Sequence, residues 1–95
     1  PSAIFAANDQ SALGVYETAG EMGVSIPKDL SLVGFDNIPE AKYYGLTTIE
    51  QPLIQMGAMA VELLIQLIEN MVPENTIQKI PAKLIIRNSC QEYEA

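Results

Sequence analysis

Residues 3–14 read AIFAANDQSALG, and this stretch decides the fold of the chain. The apolar run Ala3–Ala7 is typical of a short strand that is buried on both faces. Apolar residues then recur at helical spacing, at positions 12, 15, 16, 19 and 22. Asp9 stands where a helix N-cap is expected, and Gly23 stands where a helix commonly ends. The stretch therefore predicts a strand followed by a helix.

A second apolar run, Leu30–Phe35, completes a strand–helix–strand unit. Such units have a right-handed crossover and parallel strands, so the sequence predicts an α/β fold. A third β-like segment covers residues 46–51, and a last strand is predicted at residues 83–87. Between these two segments a long helix is predicted from Leu53 to about Asn70, with Pro52 in its first turn.

Apolar side chains cover more than half of the circumference of this long helix, in two stripes. The first stripe is Leu53, Met56, Ala60, Leu63, Leu64, Leu67 and Met71, and the second is Ile54, Ala58, Val61, Ile65, Ile68 and Val72. We therefore expect a helix that is buried on two sides, with a sheet covering the first stripe. A second copy of the chain, or other parts of a parent protein, would cover the second stripe. Alternatively, the Tyr43-Tyr44 loop and the last strand would cover it.

Composition excludes several classes of function. The 95 residues carry a net charge of −7, which opposes binding to the phosphates of a nucleic acid. There is no histidine, so most metal sites and every triad that needs a histidine base are excluded. We expect no metal and no cofactor. The single cysteine, Cys90, cannot form an internal disulfide, which fits a reducing compartment.

The sequence also argues against a membrane protein. The longest apolar stretch, residues 56–61, is far short of the roughly 20 residues that a spanning helix needs. No signal peptide is visible, and the start at Pro1 looks like a cut inside a longer protein. We expect a cytoplasmic protein with no membrane partner.

Two polar residues are predicted to lie at the carboxyl edge of the sheet, where ligands of open parallel sheets bind. Asn8 follows the first strand and Asp36 follows the second. The Asn8 amide offers donors and an acceptor, and the Asp36 carboxylate offers acceptors, so together they could hold adjacent hydroxyls of a sugar or ribose. The same residue types also open helices and form turns, and that structural interpretation stays open. Asp9 and Asp36 could form an acid–base pair, but the sequence offers no third group to tune it.

Five segments resemble, in the same order, those of lactose-repressor/galactose-repressor type transcriptional regulators. Residues 3–14 resemble their AIFAANDxxALG segment, residues 26–37 their VPxDxSVVGFDD segment, and residues 46–52 their LTTVxQP segment. Residues 56–60 are similar to the start of xxxGxxAxxLL, and residues 84–90 resemble the closing LVVRxSC. Together these segments cover nearly the whole chain.

The resemblance implies a fold and a place within a longer protein. Members of the family carry an N-terminal helix-turn-helix headpiece that binds operator DNA, followed by a two-lobed sensor of the periplasmic-binding-protein-like type I fold. A small effector, usually a sugar or a nucleoside-like molecule, binds between the lobes. Residues 1–95 would be the C-terminal part of this effector-binding domain, a parallel-sheet βαβ fragment of the C-terminal lobe. The headpiece and the N-terminal lobe would be absent.

The resemblance also assigns residues. Asn8 and Asp36 match positions that contact the effector from the C-terminal lobe, whereas Asp9 matches a helix-start position with a structural role. Leu13 matches a position in the subunit interface, and Tyr44 lies in a loop near that interface. The resemblance therefore implies a homodimer.

The expected function is the effector-sensing and dimerisation portion of a repressor, with operator DNA bound only through the missing headpiece. An enzyme is not expected, because the sequence offers no pair of nucleophile and base. The alternative is a fragment of a periplasmic sugar-binding protein of a transport system, which shares the lobe fold.

Overall fold

The computed structural model describes residues 1–71 and 77–94. The chain divides into two compact units. The first unit comprises Pro1–Glu50 and Lys83–Ala95, and the second comprises Gln51–Ala82. Within the described ranges, no helix combines the length and the apolar character needed to cross a lipid bilayer.

The described residues of the first unit form four short strands and two helices. The strands are β1 (Ala3–Phe5), β2 (Ser31–Val33), β3 (Thr48–Glu50) and β4 (Lys83–Ile85), and the helices are α1 (Asp9–Glu21) and α2 (Pro39–Tyr44). Strands β1 and β2 are parallel, with Ile4 opposite Leu32, which confirms the predicted strand–helix–strand unit. A parallel bridge between Val33 and Thr47 joins β2 to the antiparallel pair β3 and β4.

Helix α1 begins one residue earlier than the sequence predicts. Its N-cap is Asn8, whose Oδ1 accepts a hydrogen bond from the Ser11 N–H at 2.8 Å. The assignment of Asp9 as N-cap is therefore wrong, because the Asp9 carboxylate is turned into the interior and is used there. The predicted end of the helix is confirmed: Gly23 has a φ of +72°, and the Val24 N–H donates to the Ala19 carbonyl as in a Schellman motif.

The core of the first unit is small. Its buried apolar residues are Ala6, Ala12, Leu32, Ala41 and Leu46. The prediction that the first strand is buried on both faces is wrong, because Phe5 is 64% exposed. In the part of the chain that the structure describes, β1 pairs only with β2, and the core covers one face of it.

Helix α2 is not predicted from the sequence, because six residues are too few to show a helical period. Pro39 stands in its first turn, where the missing N–H costs nothing. The helix ends at Gly45, which has a φ of +70°. Helix α2 contributes Ala41 to the core and carries Tyr44 on its last turn.

The second unit contains helix α3 (Leu53–Ile68), with Pro52 as its N-cap rather than in its first turn. None of the residues of this helix is buried in the single chain, and Ile54 of the second stripe is 92% exposed. Cover of the second stripe by a second copy of the chain, or by other parts of a parent protein, stays a prediction. A groove of about 250 Å³ is lined by Met56, Met59, Ala60, Leu63, Gln78 and Ile80. Val72, the last residue of the second stripe, lies outside the described residues.

Gly34 is the position where the first unit tolerates no side chain. A Cβ there would collide with Oδ1 of Asp9 and would approach Cδ2 of Leu46 to 2.9 Å. Both neighbours are fully buried, so neither can move away freely. Gly34 therefore allows β2 to approach the start of α1 closely.

We predict that Gly34→Ala lowers the free energy of unfolding by about 1–3 kcal/mol, the usual cost of overpacking a core. Urea denaturation measures the change. Gly20→Ala is the matched control, because Gly20 lies in α1 with no heavy atom within 4 Å of an added Cβ. The control should be neutral or stabilising by up to about 1 kcal/mol. Equal stability of Gly34→Ala and the unmodified protein would contradict the prediction.

Candidate ligand site

The structure brings the two sequence-predicted ligand residues together at one edge of the sheet. Asn8 follows β1 and Asp36 follows β2, and these strands are parallel. The Asp9 N–H donates to the Phe35 carbonyl at 2.9 Å, so Asn8 and Asp36 flank this hydrogen bond on adjacent segments. Their backbones are therefore neighbours at the carboxyl ends of the two strands.

The Asn8 side chain has two separate roles available to it. Its Oδ1 is occupied by the N-cap bond to Ser11, whereas its Nδ2 donates to none of the described residues. Asn8 as a whole is half-buried. Its oxygen thus holds the start of α1, while its N–H donors are not used by the described residues.

Asp36 lies on a strained turn. Its φ is +122°, and the φ of Asn37 is +56°, so two consecutive residues other than glycine lie in the region that favours glycine. The Asp36 N–H donates to the Ile49 carbonyl at 2.9 Å, which ties the turn to β3. The Asp36 side chain itself is exposed, and its carboxylate accepts no hydrogen bond from the described residues.

Asp9 is fully buried beneath this turn. Its Oδ2 accepts from the Ile38 N–H at 2.9 Å, and its Oδ1 accepts from the Thr48 hydroxyl at 2.6 Å. The N-terminal end of α1 also favours a negative charge at this position. Asp9 is therefore a structural group that anchors the turn, and it does not form an acid–base pair with exposed Asp36.

Arg87 is a residue of this edge that sequence reasoning missed. Its guanidinium donates from Nη2 to Oδ1 of Asn37 and from Nη1 to the Leu46 carbonyl, each at 2.9 Å. The Asn37 Nδ2 in turn donates to Oε2 of Glu50 at 3.2 Å. Residues 84–90 resemble a segment of the family, so the sequence indicated that this segment matters. No local sequence pattern indicated which groups Arg87 would bind.

The residues that follow Arg87 close the first unit between β2 and β3. The buried Ser89 hydroxyl accepts from the Thr47 N–H at 2.8 Å and donates to the Leu32 carbonyl. Partial burial raises the pKa of the Tyr16 phenol, a hydrogen bond with Ser89 opposes this shift, and Cys90 adds to it. This segment is structural and contributes no group to the ligand edge.

The two sequence-predicted interface residues lie on α1 and α2. Leu13 is half-buried on α1, and Tyr44 at the end of α2 is 52% exposed. The ring of Tyr44 packs against that of Tyr16, with 5.4 Å between the ring centroids. Because Leu13 and Tyr16 are three residues apart on α1, Leu13 and the tyrosine pair share one side of that helix.

The edge of the sheet is suited to binding hydroxyl groups. It presents the amide donors of Asn8 and the carboxylate acceptors of Asp36, and a sugar hydroxyl both accepts and donates. Among residues 1–71 and 77–94, no group of three or more acidic, cysteine or histidine side chains could hold a metal ion.

Comparison with known families identifies the domain. A family model described as the periplasmic binding protein-like domain matches residues 1–90. The chain belongs to this family. The α/β fold predicted from the sequence, with its parallel strand pair, is thereby confirmed for this periplasmic binding protein-like domain.

Several curated relatives of the chain are transcriptional repressors. The HTH-type transcriptional repressor PurR of Pasteurella multocida is 40% identical over 91 residues, which are 94% of this chain and 27% of that protein. The ribose operon repressor of Halalkalibacterium halodurans is 42% identical over 93 residues, which are 96% of this chain and 28% of that protein. The chain thus spans little more than a quarter of the length of the curated relatives that it matches.

Solved structures confirm the resemblance to lactose-repressor/galactose-repressor type regulators. A regulatory protein of the LacI family from Chloroflexus aggregans superposes with a TM-score of 0.86 at 35% identity, over 98% of this chain and 34% of that one. A LacI family transcriptional regulator from Enterococcus faecalis V583, solved with bound ribose, gives a TM-score of 0.84 at 37% identity, over 97% and 35% of the two chains.

The two aspartates of this periplasmic binding protein-like domain should respond differently to neutralisation. We predict that Asp9→Asn lowers the free energy of unfolding by about 2–3 kcal/mol, because an amide cannot accept both buried hydrogen bonds with the strength of a carboxylate. Asp36→Asn should change it by no more than about 0.5 kcal/mol, because the carboxylate is exposed. Urea denaturation of both variants tests the contrast, and equal losses would show that Asp9 is not the anchor.

Proposed function

We propose that this chain is the C-terminal part of the effector-sensing domain of a LacI-type transcriptional repressor. In this proposal a small sugar-like or nucleoside-like effector binds against the edge formed by Asn8 and Asp36. A helix-turn-helix headpiece elsewhere in the complete regulator binds operator DNA. The regulator is a cytoplasmic homodimer and not an enzyme.

The observation that carries the proposal is the pairing of free donors and free acceptors at one sheet edge. The Nδ2 of Asn8 and the carboxylate of Asp36 are the polar groups there that the described residues leave without a hydrogen-bond partner. The backbone around them is held firmly, because the Asp9 N–H and the Asp36 N–H both donate to the adjacent strand segments. Preorganised polar groups of this kind bind hydroxyls at a low cost in ordering.

The curated relatives support a regulator over a transport protein. Both the relative from Pasteurella multocida and that from Halalkalibacterium halodurans are repressors, and the second is a ribose operon repressor. The Enterococcus faecalis neighbour holds ribose. D-ribose is therefore the first ligand to test.

We predict that Asn8→Ser and Asp36→Asn each weaken ribose binding by the complete regulator about 5- to 100-fold, the equivalent of about 1–3 kcal/mol for a lost buried hydrogen bond. Serine keeps an N-cap oxygen for Ser11 but removes the amide donors, so α1 is preserved. Isothermal titration calorimetry measures the affinities.

Glu17→Gln is the matched control for the ligand test, because Glu17 is an exposed acid on α1 away from the edge. The control should bind ribose with unchanged affinity. If Asn8→Ser and Asp36→Asn also bind with unchanged affinity, these residues do not form the effector site.

The proposed dimer would use the side of α1 that carries Leu13, together with Tyr44. We predict that Leu13→Glu and Tyr44→Glu each weaken the dimer at least about tenfold, because a carboxylate would be desolvated in an apolar interface. Sedimentation equilibrium measures the dissociation constant.

Met22→Glu is the matched control for the dimer test. Met22 is an exposed apolar residue at the C-cap of α1, nine positions from Leu13 and thus about half a turn around the helix. A dimer that is weakened equally by all three variants would place the interface elsewhere.

A further inference from the structure

The turn that carries Asp36 is costly to maintain. Asp36 and Asn37 have φ values of +122° and +56°, and neither is a glycine. Non-glycine residues in such regions cost on the order of 1–3 kcal/mol each and persist only when their surroundings hold them. Such strain is common at sites that bind ligands. Because a strained turn keeps its conformation only when other groups hold it, those groups determine where the Asp36 carboxylate lies.

Backbone bonds hold the two ends of the turn. The Asp36 N–H donates to the Ile49 carbonyl, and the Ile38 N–H donates to buried Asp9. The Asn37 N–H has a longer bond to the Thr48 hydroxyl, at 3.4 Å. The residue in the middle of the turn is therefore the one held least firmly through its backbone.

The Asn37 side chain compensates for this. Its Oδ1 accepts from Arg87 at 2.9 Å, and its Nδ2 donates to Glu50 at 3.2 Å. Both bonds join the neutral amide to a charged group, but the one from the guanidinium is shorter, so it is the stronger restraint. The Glu50 side chain is exposed at the end of β3, which leaves it the weaker anchor.

Arg87 is itself fixed by two further bonds. Its backbone N–H donates to the Thr47 hydroxyl and its Nη1 donates to the Leu46 carbonyl, both at 2.9 Å. The guanidinium is half-buried, and the acceptors that it uses are neutral. The planar fork thus links Leu46, two residues before β3, to Asn37, a geometry that a lysine ammonium cannot reproduce.

We propose that Arg87 is a positioning residue for effector binding: through the Asn37 side chain it holds the turn that presents the Asp36 carboxylate to the ligand. This inference rests on the proposed function of Asp36. It adds Arg87, which lies 50 positions from Asn37 in the sequence and acts through Asn37 rather than on the effector.

A double-mutant cycle tests the route through Asn37. Asn37→Gly removes both side-chain bonds, and glycine accepts the positive φ, so the backbone conformation stays accessible. Arg87→Lys keeps the charge but cannot donate to Leu46 and Asn37 together. Both single variants and the double variant are made in the complete regulator, with Lys28→Ala as a control that removes an exposed positive charge elsewhere.

Two measurements are made on these variants. Hydrogen exchange of the amides of residues 36–38 reports the order of the turn without any ligand, and calorimetry with D-ribose reports the consequence for binding. We expect about tenfold faster exchange and about five- to tenfold weaker ribose binding in each single variant. The double variant should be no worse than Asn37→Gly alone, and Lys28→Ala should match the unmodified protein.

The outcomes separate the inference from the proposed function. If Arg87→Lys leaves the exchange of residues 36–38 unchanged, or if its effect adds fully to that of Asn37→Gly, the positioning role is refuted. A purely structural arginine would lower the melting temperature of Arg87→Lys in both backgrounds without changing ribose affinity. If Asp36→Asn binds ribose with unchanged affinity while the exchange results are as expected, the proposed function fails and the restraint on the turn stands.

Discussion

The Asp9 carboxylate lies in the interior of the first unit and accepts hydrogen bonds from the Thr48 hydroxyl and the Ile38 N–H. A buried charge is stable only if its oxygens are satisfied, so these two partners must be brought to it from β3 and from the turn after β2. Gly34 is a consequence of the same constraint, because any side chain there would occupy the space of the carboxylate. One buried group thereby fixes the start of α1, the end of β2 and the start of β3.

The first unit is completed only by residues that come late in the sequence. Ser89 accepts from the Leu32 N–H through its carbonyl, and its hydroxyl bonds both Thr47 and Leu32. These partners are 42 and 57 positions away along the chain. Each strand has only three residues, so the strands themselves form few hydrogen bonds with one another. The hydrogen bonds of Ser89 therefore supply part of the stabilisation that longer strand pairs would provide.

The sequence predicts the elements that have local signals and misses those that depend on distant partners. The strand–helix–strand unit and the end of α1 at Gly23 follow from periodicity and from glycine. The sequence could not decide whether Asn8 or Asp9 is the N-cap, because both residue types cap helices. The buried hydrogen-bond partners of Asp9 decide it, because they turn its carboxylate away from the helix end. Local sequence likewise does not predict the role of Arg87, because its partner Asn37 is 50 residues away.

The identity of residue 36 is explained by neither packing nor backbone preference. A glycine would adopt its φ of +122° without strain, so the aspartate side chain must contribute something that offsets this cost. Asn37 can be explained within the chain, because both ends of its amide are bonded to Arg87 and Glu50. The Asp36 carboxylate is exposed and has no hydrogen-bond partner among the described residues. Departures from local preference without an internal compensation are expected at functional sites, and this is the physical reason for our proposal that the effector contacts Asp36.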